Sequence, residues 1–296
     1  MPPKPPSPRP WAIAAVLVTA AIGVSGVALA ADADNSSDVP SEVLRQARGR
    51  LIEYPSLSCV LRVTAVTPSG SVESVGRYTA ADALRIRMEL DTQLGQLTGR
   101  LLEVCDGQVL WSVRRLEGLQ DTSISGEEEP SVETTIVRRD IERVRQALAT
   151  EERTPRQMLH AELAVGGLPS LLAGLEQAFH LRSIESPDGV LSFRGPLRAL
   201  TDDAVTAKSL GQLPISAQLD LDAVTLLPLR VSYFRADGGH WRLQQRLELS
   251  QYVTDSQPPA EFFRFTPPSE VDVVDRTESV INAIREASPR TLSQPE

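Results

Sequence analysis

The chain offers few side chains that are suited to catalysis. None of its three histidines, His160, His180 and His240, has a partner residue that would complete a metal-binding HxxxH or CxxC pattern. No GxSxG nucleophile elbow, P-loop or GxGxxG dinucleotide motif occurs anywhere in the sequence. The sequence therefore predicts a protein that is not an enzyme and that uses no metal or other cofactor.

One acidic run leaves a second interpretation open. Glu127, Glu128 and Glu129 are consecutive and lie in a polar stretch, residues 117–135, that we expect to be a loop. Three carboxylates in a loop are able to bind a cation, but a solvated acidic loop is the interpretation that such runs favour.

An N-terminal apolar segment predicts export from the cytoplasm. Residues 11–30 contain no charged side chain, follow Lys4 and Arg9, and end in Ala28-Leu29-Ala30, the small-x-small pattern that signal peptidase cleaves. Two forms of the exported protein remain open. Residues 1–30 are either a cleaved signal peptide or an uncleaved anchor to the inner membrane, because about 20 apolar residues are enough to span a bilayer. The sequence thus predicts a periplasmic or otherwise exported protein.

The net charge of the chain limits the classes of partner that it is expected to bind. The formal net charge is −9, and residues 1–30 contribute two positive charges and no negative charge. An acidic body argues against nucleic acid as a partner and equally against adhesion to an anionic membrane surface. Aromatic residues make up only 4% of the chain, so the interior must consist of aliphatic side chains, as a core or as the lining of a cavity.

Most of the chain has the alternation of antiparallel strands. In the segment 85–91, Ile86, Met88 and Leu90 alternate with charged residues, which places the three apolar side chains on one buried face. Leu61 and Val63 alternate in the same way in a strand that begins near residue 56. Further strands are predicted at 71–79, 180–185, 190–195, 214–222, 228–236, 240–252 and 262–265.

Asp106-Gly107 predicts a two-residue type I′ hairpin between two apolar strands. That register would pair Leu102 with Trp111 and Val104 with Val109, and would place these four side chains on the inner face. Cys105 would then lie on the outer face and Cys59 on the inner face, three strand spacings or ~14 Å apart. We therefore expect both cysteines to be unpaired, although an oxidising compartment favours a disulfide.

Helices are predicted at four places in the chain. The first runs from Asp38 to Pro55, the second over 137–149 and the last over 277–287. The most apolar helix spans 168–179, where five large side chains recur at helical spacing. These are Leu168, Leu171, Leu172, Leu175 and Phe179. A helix with such a stripe needs an apolar sheet face to cover, and we expect it to lie across the concave face of the sheet.

The order of the elements predicts an α+β fold. One curved antiparallel sheet of about 10–11 strands, a half-barrel, would carry helices over its concave face. In this division, residues 31–37 form a polar leader and 38–287 form the domain, with a helical insertion at 137–179. Residues 288–296 would be a disordered tail.

Three segments, in this order, resemble the LolA-type fold of periplasmic carriers for outer-membrane lipoproteins. They are Ser56–Leu61 after the first helix, Cys105–Trp111, which is similar to the family's S-D-G-x-x-L-W, and Phe263–Val274, which is similar to its F-x-F-x-P-P-x-G-V-x-V. The resemblance spans about 38–275. The chain lacks the family's Arg-Pro turn, whose place is taken by Thr79–Ala83, and it is longer in the middle.

The resemblance implies a hydrophobic cavity that holds the acyl chains of a lipid or an acylated protein. The residues that would form its walls and lid are Leu61, Val63, Ile86, Met88, Leu90, Leu102, Val104, Trp111, Leu168, Leu171, Leu172, Leu175 and Phe179. Related folds are also sensor domains, so an envelope protein that binds another protein is the alternative. The sequence leaves the oligomeric state open.

Overall fold

The computed structural model describes residues 39–67, 70–82, 84–119, 130–149, 166–198, 214–237 and 240–286. The predicted signal or anchor at 1–30, the leader at 31–37, the glutamates at 127–129, His160 and the tail at 288–296 lie outside these ranges. In the part of the chain that is described, no helix combines the length and the hydropathy needed to cross a bilayer.

One open, curved sheet of twelve strands dominates the described residues. The first six strands are β1 Ser56–Thr67, β2 Gly70–Ala81, β3 Arg85–Leu94, β4 Leu97–Asp106, β5 Val109–Leu119 and β6 Pro130–Asp140. The others are β7 Arg182–Ile184, β8 Val190–Pro196, β9 Ser216–Asp222, β10 Pro228–Asp237, β11 His240–Thr254 and β12 Val273–Asp275. Their spatial order is β12-β6-β5-β4-β3-β2-β1-β11-β10-β9-β8-β7. All neighbours are antiparallel except β12 and β6, so the predicted α+β half-barrel is confirmed, with one or two strands more than expected.

Strands β6 and β12 are not among the strands that the sequence predicts. For β6 the sequence predicts the end of a loop and the start of a helix. Its whole length pairs with β5, from Val109↔Asp140 to Leu119↔Pro130. Ile136 is fully buried there, opposite Val113. The charged run around Arg138 and Arg139 looks helical in isolation, but the free edge of β5 supplies hydrogen-bond partners that a sequence pattern cannot reveal.

Four α-helices accompany the sheet in the described residues: α1 Val39–Glu53, α2 Ile141–Ala149, α3 Gly167–Ala178 and α4 Thr277–Glu286. Helix α2 begins four residues later than predicted because Asp140 caps it. The Asp140 carboxylate accepts a hydrogen bond from the backbone N–H of Arg143 at 2.9 Å, as an N-cap side chain does. Val144 of α2 packs against Ile281 of α4 in a small cluster beside β6.

The concave face of the sheet carries the main core. Strand register places Leu61 and Val63 of β1 on the same face as Ile86, Met88 and Leu90 of β3. Helices α1 and α3 pack together on this face and contribute Leu44, Ala47 and Leu51 from one helix and the predicted Leu/Phe stripe from the other. The prediction that helix 168–179 lies across the concave face is therefore confirmed.

The C-terminal segment crosses the opposite, convex face. We call residues 255–275 the strap. Its 3-10 helix, Ala260–Phe263, lies on β3 and β4, where the Arg87 guanidinium donates a hydrogen bond to the Phe262 carbonyl oxygen at 2.9 Å. Further along, the Phe265 ring lies 5.6 Å from the Trp111 ring, and β12 then pairs with β6. Residues 262–265, predicted as a strand, are thus part of this crossing segment.

The assignment of Leu102, Val104 and Trp111 to the concave face is wrong. Ile86, Met88 and Leu90 pair with Cys105, Glu103 and Leu101, so these β4 residues face the core and Leu102 and Val104 face the other way. Val104 is nevertheless fully buried. Both faces of β4 are apolar because the strap covers the convex side, and alternation alone cannot tell such faces apart.

The Asp106-Gly107 turn also differs from the prediction. Cys105 pairs with Leu110 and Val104 with Trp111, so the loop residues are Gly107 and Gln108, with φ +98° at Gly107. Asp106 stays in its strand, and its carboxylate accepts hydrogen bonds from the backbone N–H groups of Gln108 and Val109, each at 2.9 Å. An Asp side chain that closes the turn in this way moves the turn by one residue.

Candidate functional site: the concave face and its helical cover

The candidate site is the concave face beneath α3. Ten of the thirteen residues that the sequence assigns to a cavity meet there in one buried cluster. They are Leu61, Val63, Ile86, Met88, Leu90, Leu168, Leu171, Leu172, Leu175 and Phe179. The other three, Leu102, Val104 and Trp111, lie on the convex face as described above.

The start of α3 is fixed above the centre of the sheet. The buried Tyr78 hydroxyl accepts a hydrogen bond from the backbone N–H of Leu168 at 3.3 Å. Gly166 and Gly167 precede it, each with φ +82°, a conformation that other residues rarely adopt. A Cβ atom on Gly167 would lie 2.8 Å from the Tyr78 hydroxyl oxygen. Glycine is therefore favoured there both by the backbone and by the space, and no sequence pattern predicts this role.

Polar contacts hold the other end of α3. Arg48 of α1 pairs with Glu176 at 3.3 Å, and the Arg198 guanidinium donates a hydrogen bond to the Glu176 carbonyl oxygen at 3.3 Å. The Phe179 ring, just after the helix, lies 6.1 Å from the Tyr233 ring of β10. The cover is thus attached at both ends, and its middle is held by the apolar stripe.

The five large side chains of the α3 stripe are each 6% exposed or less, so they are closely packed against the sheet. A pocket of about 30 Å³ lies where α1, α3 and the start of β7 meet, and its lining includes Ser41, Phe179, His180 and Arg198. Ligand pockets usually measure about 300–1,000 Å³, so this one has room for little more than a water molecule. In the described residues, the predicted cavity residues other than Phe179 lie in packed core and do not line this pocket.

A buried carboxyl group interrupts the apolar face. Glu103 of β4 points to the concave side, opposite Ser112 of β5, with Arg114 and Arg139 on the same face of β5 and β6. Burial is the main reason why the pKa of Glu103 is raised, while Arg139, Arg114 and the hydroxyl of Ser112, which donates a hydrogen bond, act in the opposite direction. Sequence reasoning missed this group. Its one signal is a glutamate between two buried positions, Leu101 and Cys105.

The raised pKa of Glu103 makes the free energy of unfolding depend on pH. The folded protein binds the proton of the Glu103 carboxyl group more tightly than the unfolded chain does. The stabilisation from this group is therefore fully present below the unfolded pKa of about 4.3 and is lost as the pH rises through the folded pKa. We therefore expect Glu103→Gln to gain stability relative to the wild type as the pH rises from about 4 through the folded pKa of Glu103. Urea midpoints measured across this range test the prediction, and the exposed Glu73→Gln is the control for loss of one negative charge. Parallel curves for wild type and Glu103→Gln would contradict it.

Both cysteines are free, as the sequence predicts, and both are buried. Cys105 nevertheless lies on the same face as Cys59 and not on the outer face, because Cys105 pairs with Ile86. Strands β2 and β3 separate the two thiols, which accounts for the missing disulfide.

We expect neither thiol to react in the folded protein. Burial raises the pKa of Cys59 to about 12 and that of Cys105 to about 11, so at pH 8 roughly 0.1% or less of either is thiolate. Iodoacetamide should leave both unmodified under native conditions and should modify both in urea without reductant. Rapid labelling of one of them in the native state would show that its strand opens locally.

Catalytic groups are sparse in the described structure. His180 lies at the small pocket, and His240 begins β11 at a different place in the sheet. Within the described ranges, no group of three histidine, cysteine or acidic side chains is arranged to hold a metal ion.

Comparison with known proteins gives structures but no sequence family. No family model and no curated protein matches the chain. The solved structure of MucB is 14% identical over 79% of this chain and 65% of that chain, with a TM-score of 0.38. MucB in complex with MucA(peri) is also 14% identical, over 77% of this chain and 60% of that one, with a TM-score of 0.37. This chain thus spans less than two thirds of the MucB chains that it matches.

The LolA superfamily is among the matched structures, which is the resemblance that the sequence predicts. The LolA superfamily protein NE2245 from Nitrosomonas europaea is 13% identical over 76% of this chain and 97% of that chain, with a TM-score of 0.26. Identities this low concern the fold alone. With TM-scores below 0.5, the likenesses carry no weight for function, which must be inferred from the residues of this chain.

Proposed function

We propose that this chain is an exported envelope protein that binds the acyl chains of a lipid or an acylated protein against its concave face. The observation that supports the proposal most is the continuous apolar surface beneath α3, formed by β1, β2 and β3 and centred on Tyr78. Export is inferred from the uncharged segment 11–30, which follows two basic residues.

Binding requires α3 to move, since the described pocket is too small for an acyl chain. Five large side chains of α3 and its C-terminal neighbour leave the sheet when it moves, at about 2 kcal/mol each, or roughly 10 kcal/mol together. Ten methylene groups would return about 8 kcal/mol, which is less than this cost. A ligand with one very long chain or two long chains is therefore the class that is able to displace the helix.

The test is native mass spectrometry of the full chain purified from an envelope extract. Bound molecules with the masses of long-chain lipids, released on denaturation, are the expected result. A chain without lipid that co-purifies with a polypeptide would contradict acyl binding.

Two glycine variants test whether α3 is the part that moves. Gly167→Ala places a Cβ against the Tyr78 hydroxyl, whereas Gly189→Ala has the same positive φ, +81° against +82°, with nothing within 4 Å. Since the two positions have nearly the same φ, the contact with Tyr78 is what distinguishes the variants, and only the first should loosen α3. We expect faster uptake of a fluorescent two-chain lipid by Gly167→Ala than by Gly189→Ala. Equal uptake rates would rule out α3 as the moving cover.

A protein-binding module is the second candidate. The packed concave face and the pocket of about 30 Å³ favour it, because such a face holds no ligand until the cover moves. In that case native mass spectrometry should find no lipid, and the partner polypeptide should protect part of the described surface from hydrogen exchange.

A further inference from the structure

One hairpin of the sheet extends beyond its neighbours. We call residues 235–237 of β10 and 240–243 of β11 the hairpin tip. The last pairing of β11 with β1 is at Gln245, and the last pairing of β10 with β9 is at Phe234. Within the described residues, the pairs from Arg235↔Arg242 to Asp237↔His240 therefore form a two-stranded ribbon without neighbouring strands.

An aromatic and cationic stack marks one face of this ribbon. The Arg194 guanidinium of β8 lies 4.6 Å from the centre of the Phe234 ring and 5.1 Å from that of Trp241. Both are cation–π distances. Trp241 is nevertheless 50% exposed, so one side of the largest apolar side chain at the tip faces water.

The charge of the tip is opposite to that of the protein. Arg194, Arg235, Arg242 and Arg246 lie on the ribbon or beside it, and Asp237, which pairs with Arg242 at 2.8 Å, is the one acidic residue among the described tip residues. Arg235 and Arg242 against Asp237 give the described tip residues an excess of one positive charge, with Arg194 and Arg246 beside them, whereas the whole chain has a net charge of −9. Charges more than about 8–10 Å away are screened at physiological ionic strength, so an approaching surface responds mainly to the tip.

We propose that the hairpin tip docks on an anionic phospholipid surface, with Trp241 in the headgroup region. Tryptophan is enriched at membrane–water interfaces, and arginines near the surface attract anionic lipids. A stable protein interface needs about 800 Å² per partner, which seven ribbon residues do not supply, whereas a lipid surface is contacted by a few side chains. The negative net charge of the whole chain would oppose this contact if the acidic residues were spread evenly over the surface. At the tip, however, basic residues outnumber acidic ones.

The test uses Trp241 as a fluorescent reporter in the full chain. Trp11→Phe and Trp111→Phe leave Trp241 as the single tryptophan. Vesicles of phosphatidylcholine mixed with phosphatidylglycerol should shift its emission to the blue and protect it from iodide, and vesicles of phosphatidylcholine alone should not. Each of Arg235→Gln and Arg242→Gln should weaken the insertion equilibrium about fivefold, and added salt should weaken it further.

A matched control separates the tip from any membrane segment elsewhere in the chain. Val224 is 88% exposed in the turn between β9 and β10, at the far end of β10 from the tip. A reporter that carries Val224→Trp and Trp241→Phe together with Trp11→Phe and Trp111→Phe should remain accessible to quenching by iodide on the same vesicles. Equal protection at both positions, no response of Trp241 to phosphatidylglycerol, or the same response to soluble polyglutamate would overturn the proposal.

Discussion

Leu172→Asp should abolish the stable fold or lower the urea midpoint severely. Leu172 is fully buried in the middle of α3, between the helix and the concave face. Loss of a buried leucine alone costs about 2–5 kcal/mol, and a carboxyl group without a partner adds a desolvation cost of a few kcal/mol. The total is comparable to the whole stability of a typical domain, roughly 5–15 kcal/mol.

Two further variants keep this prediction testable when Leu172→Asp does not fold. Leu172→Ala should fold with a loss of about 2–5 kcal/mol. Gln177→Asp adds the same charge to the same helix at a half-buried position and should cost far less. Circular dichroism during urea unfolding gives all three values. A midpoint for Leu172→Asp equal to that of Gln177→Asp would mean that α3 is peripheral.

Phe263→Ala should destabilise the protein by about 3–5 kcal/mol, although the residue lies in a connecting segment. Its side chain is 1% exposed between the strap and the sheet, with the Arg85 guanidinium 5.5 Å from its ring centre. Its neighbour Phe262 is 37% exposed and meets it edge to face, with 5.3 Å between ring centres. The two adjacent phenylalanines thus differ mainly in burial.

Phe262→Ala is therefore the matched control for the strap. It removes the same ring from a partly exposed site and should cost about 1 kcal/mol. Calorimetry or urea unfolding of the two variants measures the difference. Equal losses would show that the strap is not anchored at Phe263 and that the convex face of β4 is stabilised in another way.

Local sequence patterns correctly predicted those helices and strands that have one side facing water. In β3, charged residues separate Ile86, Met88 and Leu90. Only burial of the face that carries these three side chains keeps the charged residues out of the core. In α3, the stripe from Leu168 to Leu175 specified both the helix and its need for an apolar surface. Export and the lack of an enzymatic activity, by contrast, stay predictions from the sequence.

Patterns failed where a distant segment changes the environment of a strand. Leu102 and Val104 are buried or half-buried on the convex side because the strap, more than 150 residues later in the chain, covers that face. Strand β6 forms because the edge of β5 supplies hydrogen-bond partners, and not because residues 130–140 have a strong strand pattern. The Asp106 turn shifts by one residue because its side chain closes the loop.

The sequence by itself determined the class of fold, the four helices and ten of the thirteen residues that it assigns to the concave face. Only the tertiary structure decided whether that face encloses a cavity, since the volume left between α3 and the sheet depends on how the two surfaces fit. It alone placed Glu103 among apolar side chains and brought Arg194 onto Phe234 and Trp241. Periodicity specifies which side of an element is buried, whereas contacts between distant segments specify what covers that side.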